Sequence, residues 1–439
     1  MLSAPGLRRS FRLPLALVFL ACAAGAPGAA AASARPPEVR GIWVTRWDFR
    51  SEADVRRAVR WSAALGLNRV FFQVRGRADA FYRSPFEPWG EEIGGKDPGF
   101  DPLEVAVDEA RKAGVELHAW VNLLPGWKGA RLPLDPSHVA RRHPEWFLLD
   151  SRGKRHVVNP SDYAILNPCL PEVRTYLVAV VADIAARYAV DGIQLDYVRF
   201  AGRDPKRSGD VPYDPESLAL FRSYSGASPS EAPAAFDAWR GRALDVLVAR
   251  ISAAVRTRRP GCVLSAAVLP DFDRARRLFF QDAASWLEKG WIDAAYPMTY
   301  AADPASFSVQ TAEALRRSPR GGVFPGIGVH LHARAEDTLR QIRAARSLGA
   351  RGYCLFSYAQ IFPSPSHEYR ADPASRRLRS ELRRAIFAAN GLRPGPGGGE
   401  APGAQDSLGA ERSVAAAPPG GTAPFASGSP PHSLSIRAR

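Results

Sequence analysis

The feature that most constrains this chain is a repeated alternation of short apolar runs and longer amphipathic segments between Glu38 and Ala389. Eight runs resemble buried strands: Val39–Trp47, Arg69–Arg75, Glu116–Asn122, Gly192–Asp196, Val263–Val268, Asp293–Met298, Val323–Val329 and Gly352–Phe356. Segments with helical spacing lie between them, including Glu52–Leu65, Leu103–Ala113, Val173–Tyr188, Phe236–Val255 and Ala335–Leu348. Eight strand–helix units in roughly 350 residues predict an α/β fold, the (β/α)8 TIM barrel. An open doubly wound sheet is the alternative, but the Gly-rich phosphate turn that usually follows its first strand is missing.

Both ends of the chain differ from this core in composition. Residues 1–34 have the order of an export signal: basic Arg8, Arg9 and Arg12, then apolar Leu13–Ala24, then the small residues Ala32-Ser33-Ala34. From Asn390 onward Pro, Gly, Ala and Ser dominate, so residues 390–439 are predicted to be a disordered tail. The barrel domain is therefore expected over residues 35–389, in a protein that is periplasmic or extracellular.

Two details of the export signal leave alternatives open. Arg8-Arg9-Ser10-Phe11 resembles a twin-arginine signal, which would mean export in the folded state. The segment ending at Cys22 loosely resembles a lipoprotein box, so a lipidated Cys22 could attach the chain to a membrane. The other three cysteines lie far apart and do not suggest a disulfide framework. We expect Cys262 and Cys354 to behave as small buried hydrophobic residues.

The formal net charge is +15, and 53 of the 59 basic residues are Arg. A basic patch for nucleic acid is one interpretation, but no block of five basic residues and no nucleic-acid motif occurs. Scattered surface Arg on helices is the better interpretation, and no nucleic-acid partner is predicted. Such a surface would still favour anionic polymers, which include cell-wall glycans.

Strand alternation predicts which side chains face the barrel axis, because successive side chains point to opposite faces. In the fourth predicted strand, Ile193 and Leu195 should meet the helices, so Gln194 and Asp196 should face inward. The same rule places polar and aromatic side chains inward from the strands before it: Gln73, Arg75, His118, Trp120 and Asn122. Barrel active sites form where strands end, so we predict that this set binds substrate together with Tyr197, Arg199 and Tyr300. A structural alternative pairs Arg75 with Asp196.

Aromatic residues are frequent near the same strand ends: Trp47, Tyr82, Trp89, Trp120, Trp127, Tyr197 and Tyr300. The C–H faces of sugar rings pack on aromatic rings, while their hydroxyls need polar partners. Aromatic residues mixed with Asn, Gln, Arg and Asp therefore favour a carbohydrate ligand. A polysaccharide is the predicted substrate, and no cofactor is predicted.

Glycoside cleavage normally uses two carboxyl groups, one ionised and one protonated. Asp196 is the candidate for the ionised group because it ends a strand and has Arg199 three residues later. The second carboxyl is less constrained, and Asp79 and Asp271 are the preferred loop candidates, ahead of Glu87, Glu145 and Asp273. His330-Leu331-His332 has the H-x-H spacing of some metal ligands, but no carboxylates are expected to converge on it, and no metal site is predicted.

Several segments together resemble the glycosyl-hydrolase-like 10 family: EVRGIWV at 38–44, QVR at 73–75, DAFYRS at 79–84, EPW at 87–89, HAWVN at 118–122, HPEW at 143–146, DGIQLDYVRF at 191–200, QD at 281–282, Asp293 with Pro297 and Tyr300, GIG at 326–328 and FSY at 356–358. The resemblance implies a barrel, an extracytoplasmic location and hydrolysis of O-glycosidic bonds, with bacterial cell-wall glycan as a candidate substrate. Members often have two adjacent acids at the end of strand four, whereas here Tyr197 follows Asp196 directly. A barrel that binds glycan without cleaving it is therefore the second functional hypothesis.

Overall fold

The computed structural model describes residues 37–129, 131–155, 163–200, 209–318 and 321–392. The predicted export signal lies outside these residues, as does the predicted tail beyond Leu392. None of the helices that the structure describes is both long and apolar enough to cross a membrane.

The described part of the chain alternates strands with helices. The strands are β1 (Val39–Val44), β2 (Arg69–Arg75), β3 (Glu116–Asn122), β4 (Pro125–Lys128), β5 (Tyr163–Ile165), β6 (Gly192–Asp196), β7 (Val263–Val268), β8 (Ala294–Pro297), β9 (Gly326–Gly328) and β10 (Gly352–Phe356). The α-helices are α1 (Glu52–Ala64), α2 (Pro102–Ala113), α3 (Val139–Arg142), α4 (Pro171–Arg187), α5 (Pro215–Ser225), α6 (Pro233–Arg258), α7 (Phe272–Phe279), α8 (Ala283–Glu288), α9 (Pro304–Arg316), α10 (Ala335–Ser347) and α11 (Pro373–Ala389).

Eight of these strands form one parallel sheet in the order β8-β7-β6-β3-β2-β1-β10-β9. The two ends of the sheet meet at Ala295 of β8, which bonds the backbone of Gly322 and Phe324 just before β9. This contact joins the sheet into a barrel, and the predicted (β/α)8 fold is confirmed.

The sheet separates two hydrophobic cores. The larger one lies between strands and helices, and it contains Ile193 and Leu195 of β6 together with Leu117 and Val121 of β3. The smaller one fills the barrel interior with Trp43, Phe71, Trp120, Ala294, Tyr296, Phe324 and Cys354. The alternation rule therefore assigned the faces of β3 and β6 correctly.

Local sequence accounts for how several helices begin and end. Asp101, Asp214, Asp303 and Asp372 each accept a backbone hydrogen bond from the first turn of the helix that follows, and each precedes a proline at the first helical position. α2 ends at Gly114 in the left-handed conformation (φ 66°), where glycine carries no Cβ penalty.

Two predicted strands are shorter in the structure by three residues or more, and one hairpin was not predicted. The first strand ends at Val44 rather than Trp47, because the chain turns where the Asp48 N–H donates to the Thr45 carbonyl. The seventh shortens to Gly326–Gly328. The antiparallel hairpin of β4 and β5 was not predicted, because Pro125 and Gly126 interrupt any strand-like alternation.

Candidate active site

Asp196 lies at the C-terminal end of β6 and is 4 % exposed. Its Oδ1 accepts from the Tyr197 N–H at 2.6 Å, and its Oδ2 accepts from the Trp120 indole N–H at 3.2 Å. Arg199 places Nη1 3.5 Å from Oδ1. Both carboxylate oxygens therefore face donors, which favours an ionised and fixed carboxylate.

The turn after β6 creates this arrangement. Tyr197 adopts the left-handed backbone conformation (φ 53°), which costs a residue with a Cβ on the order of 1 kcal/mol. In that conformation its N–H points back at the preceding carboxylate. The Arg199 guanidinium lies 4.3 Å from the centre of the Tyr197 ring. Tyr197 therefore contacts Asp196 through its backbone N–H and Arg199 through its ring.

Opposing effects set the charge of Asp196. Burial raises its pKa above the ordinary aspartate value, and Arg199 with the Tyr197 and Trp120 donors lowers it only in part. The net effect is a raised pKa, so this carboxyl should lose its charge at a higher pH than an exposed aspartate does.

Polar side chains line the interior beside Asp196. Gln194 Oε1 accepts from the Trp43 indole N–H at 2.6 Å, while Gln194 Nε2 is buried without a partner among the described residues. Asn122, which pairs with Asp196 in the strand register, likewise has a buried Oδ1 that lacks a described partner. Buried polar groups need partners, so water or a bound hydroxyl group would complete these two amides.

Half-buried aromatic side chains surround the mouth. The Tyr197 ring packs edge-on against Tyr163 at 5.4 Å, and the Tyr300 ring lies 5.2 Å from Phe356 and 5.6 Å from His330. Burial, followed by the nearby charge of Asp196, raises the pKa of Tyr300. Tyr300 thus offers a neutral hydroxyl group at the same end of the barrel as the Asp196 carboxylate.

Gln73 and Asp79 belong to a network of polar and charged side chains beside the mouth. Gln73 Oε1 accepts from the Arg46 backbone N–H at 3.0 Å, and Asp79 Oδ1 accepts from the Arg77 backbone N–H at 2.8 Å. Burial alone would raise the pKa of Asp79, but Arg77 and Arg46 outweigh it and the pKa is lowered. A general acid must carry a proton when it acts, and the two arginines hold Asp79 ionised, so this environment disfavours the acid role predicted for Asp79.

Strand alternation predicted that Arg75 faces the barrel axis. In the structure it does not. The pairing of β2 with β3 shifts by one residue between Gln73 and Arg75, so that Arg75 lies opposite Val121, a residue of the outer core. This bulge reverses the face of the strand end. Arg75 instead binds Glu87 through Nη2 at 2.7 Å and Nε at 2.9 Å. The alternative in which Arg75 pairs with Asp196 is therefore wrong.

His118 faces the interior but lies far below the mouth. It pairs with Gly192 at the start of β6, four residues before Asp196, which is about 13 Å along a strand. It packs against Phe71 with ring centroids 5.1 Å apart and is fully buried. Burial lowers the pKa of His118, so it is a neutral core residue rather than part of the mouth.

Asp271 is the N-cap of α7, where it accepts from the Arg274 N–H at 2.9 Å and remains exposed. Four of the predicted site residues contact Asp196 or pair with it in the strand register: Trp120, Asn122, Tyr197 and Arg199. The charge of Asp196 also contributes to the raised pKa of Tyr300. Gln73 and Asp79 join the neighbouring charge network, while Arg75, His118 and Asp271 lie elsewhere.

Sequence reasoning missed two carboxyl groups near the mouth. Asp48 is buried and accepts from the Thr45 N–H, the Thr45 hydroxyl and the Ser364 hydroxyl at 2.7, 2.8 and 2.6 Å. Burial raises the pKa of Asp48 to about 7. Glu368 lies in the loop after β10, with Oε2 3.5 Å from Ser357 Oγ. The Thr45-x-x-Asp48 spacing after the first strand could have indicated a side-chain turn, whereas no local pattern marks Glu368.

The described residues contain no group of three or more His, Cys, Asp or Glu side chains arranged to hold a metal ion. His332 is instead bonded to Thr338 at 2.8 Å and lies 3.3 Å from the Ala301 carbonyl. Cys169, Cys262 and Cys354 are free and buried, as expected for Cys262 and Cys354.

The chain is similar in sequence to bacterial glycosyl hydrolases. The glycosyl hydrolase DigH of Escherichia coli K12 is 28 % identical over 350 residues, which cover 67 % of this chain and 75 % of DigH. The glycosyl hydrolase YngK of Bacillus subtilis is 26 % identical over 256 residues, which cover 54 % of this chain and 46 % of YngK.

Solved structures agree on the fold. The glycoside hydrolase domain of PgaB (BpsB) from Bordetella bronchiseptica superposes with a TM-score of 0.54 at 16 % identity, covering 79 % of this chain and 99 % of that domain. The catalytic domain of β-amylase from Paenibacillus polymyxa gives 0.55 at 12 % identity, covering 81 % and 100 %. At such identities the likeness concerns the barrel alone.

The model of the family described as glycosyl hydrolase-like 10 matches residues 38–320, a span that contains β1 to β8 with Asp196 and its partners. The chain belongs to the glycosyl hydrolase-like 10 family and is a glycoside hydrolase.

Proposed function

We propose that this enzyme hydrolyses O-glycosidic bonds of an extracytoplasmic polysaccharide, the glycan strands of cell-wall peptidoglycan, with Asp196 as the ionised catalytic carboxylate. The observation that carries the proposal is Asp196 itself, held at the end of β6 by the Tyr197 and Trp120 donors and by the ion pair with Arg199. Beside it lie two amide atoms, Gln194 Nε2 and Asn122 Oδ1, that lack partners among the described residues. In this position Asp196 can attack the anomeric carbon or stabilise the positive charge that develops there.

The surroundings of Asp196 fit a sugar. Tyr197, Tyr300 and Tyr163 offer ring faces and edges at the mouth, and sugar rings present C–H groups to such surfaces. The free amide atoms of Asn122 and Gln194 suit hydroxyl groups, which both donate and accept. Neutral Tyr300 can donate to a substrate oxygen near the carboxylate.

The choice of cell-wall glycan rests on charge and location. The net charge of +15 favours an anionic polymer, and wall glycan is such a polymer outside the cytoplasm. We propose that residues 1–34 direct export and that the mature protein acts in the periplasm or outside the cell, attached to a membrane if Cys22 is lipidated. Mass spectrometry of the protein from its native host tests this, and a mature product that retains Met1 would contradict it.

The activity is tested with purified peptidoglycan, both intact and stripped of its peptides. We expect soluble sugar-chain products from at least the stripped strands, and none from an Asp196→Asn variant. Capture of the protein on the strands without products would favour the glycan-binding alternative. Products from a different polysaccharide alone would retain the glycosidase and replace its substrate.

A further inference from the structure

The loop between β10 and α11 brings a carboxyl group to the barrel mouth. Ser357 directly follows β10, and its Oγ lies 3.5 Å from Glu368 Oε2. The Glu368 backbone N–H donates to Ser366 Oγ at 3.2 Å, and the side chain is half-buried. Glu368 therefore returns to the end of the last strand although it is eleven residues beyond Ser357.

The strand order places the end of β10, beside which Glu368 lies, opposite the end of β6, where Asp196 lies. Going around the barrel from β6 to β10, three strands intervene on one side (β3, β2 and β1) and three on the other (β7, β8 and β9). β6 and β10 therefore face each other across the axis. Tyr300 lies at the mouth after β8, and the charges of both Asp196 and Glu368 contribute to the rise of its pKa, after burial.

Hydrogen bonds hold the loop in place. Ser364 Oγ donates to Asp48 Oδ1 at 2.6 Å, and the other Asp48 oxygen accepts from the backbone and hydroxyl of Thr45 at the end of β1. The neighbouring His367 packs edge-on against Trp47 with ring centroids 5.1 Å apart. Asp48 thus acts as a positioning residue that ties the loop to β1.

The charge environment separates Glu368 from three carboxylates in the loop after β2. Asp79, Glu87 and Glu92 each form an ion pair with a buried or half-buried arginine. Within the residues that the structure describes, Glu368 forms no ion pair, and Ser357 is its side-chain partner. A group that must release and regain a proton functions poorly against a fixed arginine, which holds it ionised.

We propose that Glu368 is the second catalytic carboxyl group, working across the mouth from Asp196. This inference rests on the proposed glycosidase function and deepens it. Glu368 gives its proton to the glycosidic oxygen as the bond from that oxygen to the anomeric carbon breaks, and the bonding electrons stay on the oxygen. Asp196 attacks the same carbon from the opposite side. The Glu368 carboxylate then takes a proton from a water molecule whose oxygen replaces Asp196, so that one water is consumed and both carboxyl groups return to their starting states.

Leaving-group dependence tests this role. A leaving group that departs readily needs no proton, so loss of a general acid affects it little. The probes are peptide-free peptidoglycan strands, with a poor leaving group, and 2,4-dinitrophenyl β-chitobioside, with a good one. We expect Glu368→Gln to lower cleavage of the strands by about 10²–10⁴-fold while release of dinitrophenol in the first turnover stays within about tenfold. Glu368→Asp keeps the acid and should retain more activity on strands than Glu368→Gln.

The matched control is Glu381→Gln on α11, where Glu381 forms a surface ion pair with Arg377 at 2.9 Å. It should cleave both probes as the wild type does. Unchanged strand cleavage by Glu368→Gln, or equal losses on both probes, would overturn the role of Glu368 while the glycosidase function stands. A wild type that cleaves neither probe would overturn the proposed wall-glycan substrate, and with it the role of Glu368 as stated for that substrate. If Glu368→Gln fails to fold, Glu368→Asp gives the decisive comparison. This change shortens the side chain by one methylene and moves the carboxyl group away from the substrate. Wild-type activity of Glu368→Asp on strands would therefore contradict direct proton transfer.

Discussion

Two arginine–carboxylate pairs in the same barrel differ in how far they are enclosed and in how completely their polar neighbours are hydrogen-bonded. Arg75 and Glu87 are enclosed, with both Glu87 oxygens within 2.9 Å of Arg75 Nε and the Tyr176 hydroxyl donating to the same carboxylate. Arg199 and Asp196 lie 3.5 Å apart at the mouth, beside amide atoms that lack described partners. Closed networks stabilise a fold, while incompletely satisfied ones at a cavity mark sites that bind and react. The comparison therefore assigns stability to the first pair and chemistry to the second.

The largest effect on stability should come from Glu87→Gln. The change leaves Arg75 charged and buried without a countercharge, which costs about 3–5 kcal/mol of unfolding free energy. Chemical denaturation measures it. Glu145→Gln is the control, because Glu145 forms an exposed contact with His143 and its loss should change stability by less than about 0.5 kcal/mol. Equal effects from the two changes would contradict the stabilising role of the enclosed pair.

Asp48 is a third carboxyl group to compare with Glu87 and Asp196, because it is buried and its partners are hydroxyl and backbone donors. Its pKa of about 7 exceeds the value of about 3.9 in an unfolded chain, so the native state binds more protons between these values. The unfolding free energy should therefore fall as pH rises from about 4 to about 7, by at most about 4 kcal/mol. Asp48→Asn stays neutral and should flatten that slope in denaturation experiments at several pH values. An unchanged slope would mean that Asp48 is ionised throughout.

Arg199→Gln tests the charge balance at the mouth. Arg199 lowers the pKa of Asp196, so without it the carboxyl should gain a proton at a higher pH. The acidic limb of the pH profile of kcat/KM should move upward by about half a unit to one unit. The control is Arg377→Gln, which removes a surface ion pair with Glu381 and should leave the acidic limb of the pH profile unchanged. A limb that does not move in Arg199→Gln would show that a different group controls it.

The smallest effect should come from Trp120→Phe, which keeps an aromatic ring but removes the N–H that donates to Asp196 at 3.2 Å. Because this contact is long, losing it should cost only about 0.5 kcal/mol in stabilising the carboxylate. It should therefore shift the acidic limb in the same direction as Arg199→Gln does, by less than about half a pH unit. A shift toward lower pH would contradict the donor role of the indole.

The strand pattern predicted the barrel and the inward faces of Gln194, Asp196 and Trp120, because burial on one face imposes a strict period of two. It failed for Arg75, since a one-residue bulge reverses the strand end and no local signal in the Gln73-Val74-Arg75 run announces the extra residue. It also failed to foresee Glu368, whose position depends on the loop anchored by Ser364 and Asp48 and on the order of strands around the barrel. Contacts between residues that are distant in sequence decided these two positions.

The central claim is that Asp196 performs chemistry and that Arg75–Glu87 maintains the fold. It is tested most directly by measuring unfolding and glycan-strand cleavage on one variant, Asp196→Asn, which keeps the shape and removes the charge. The account predicts a loss of turnover of at least about 10²-fold, a barrier increase of at least about 2.7 kcal/mol, with little change in unfolding free energy. Wild-type turnover together with a destabilisation of about 3–5 kcal/mol would contradict it, because Asp196 would then be a structural partner like Glu87.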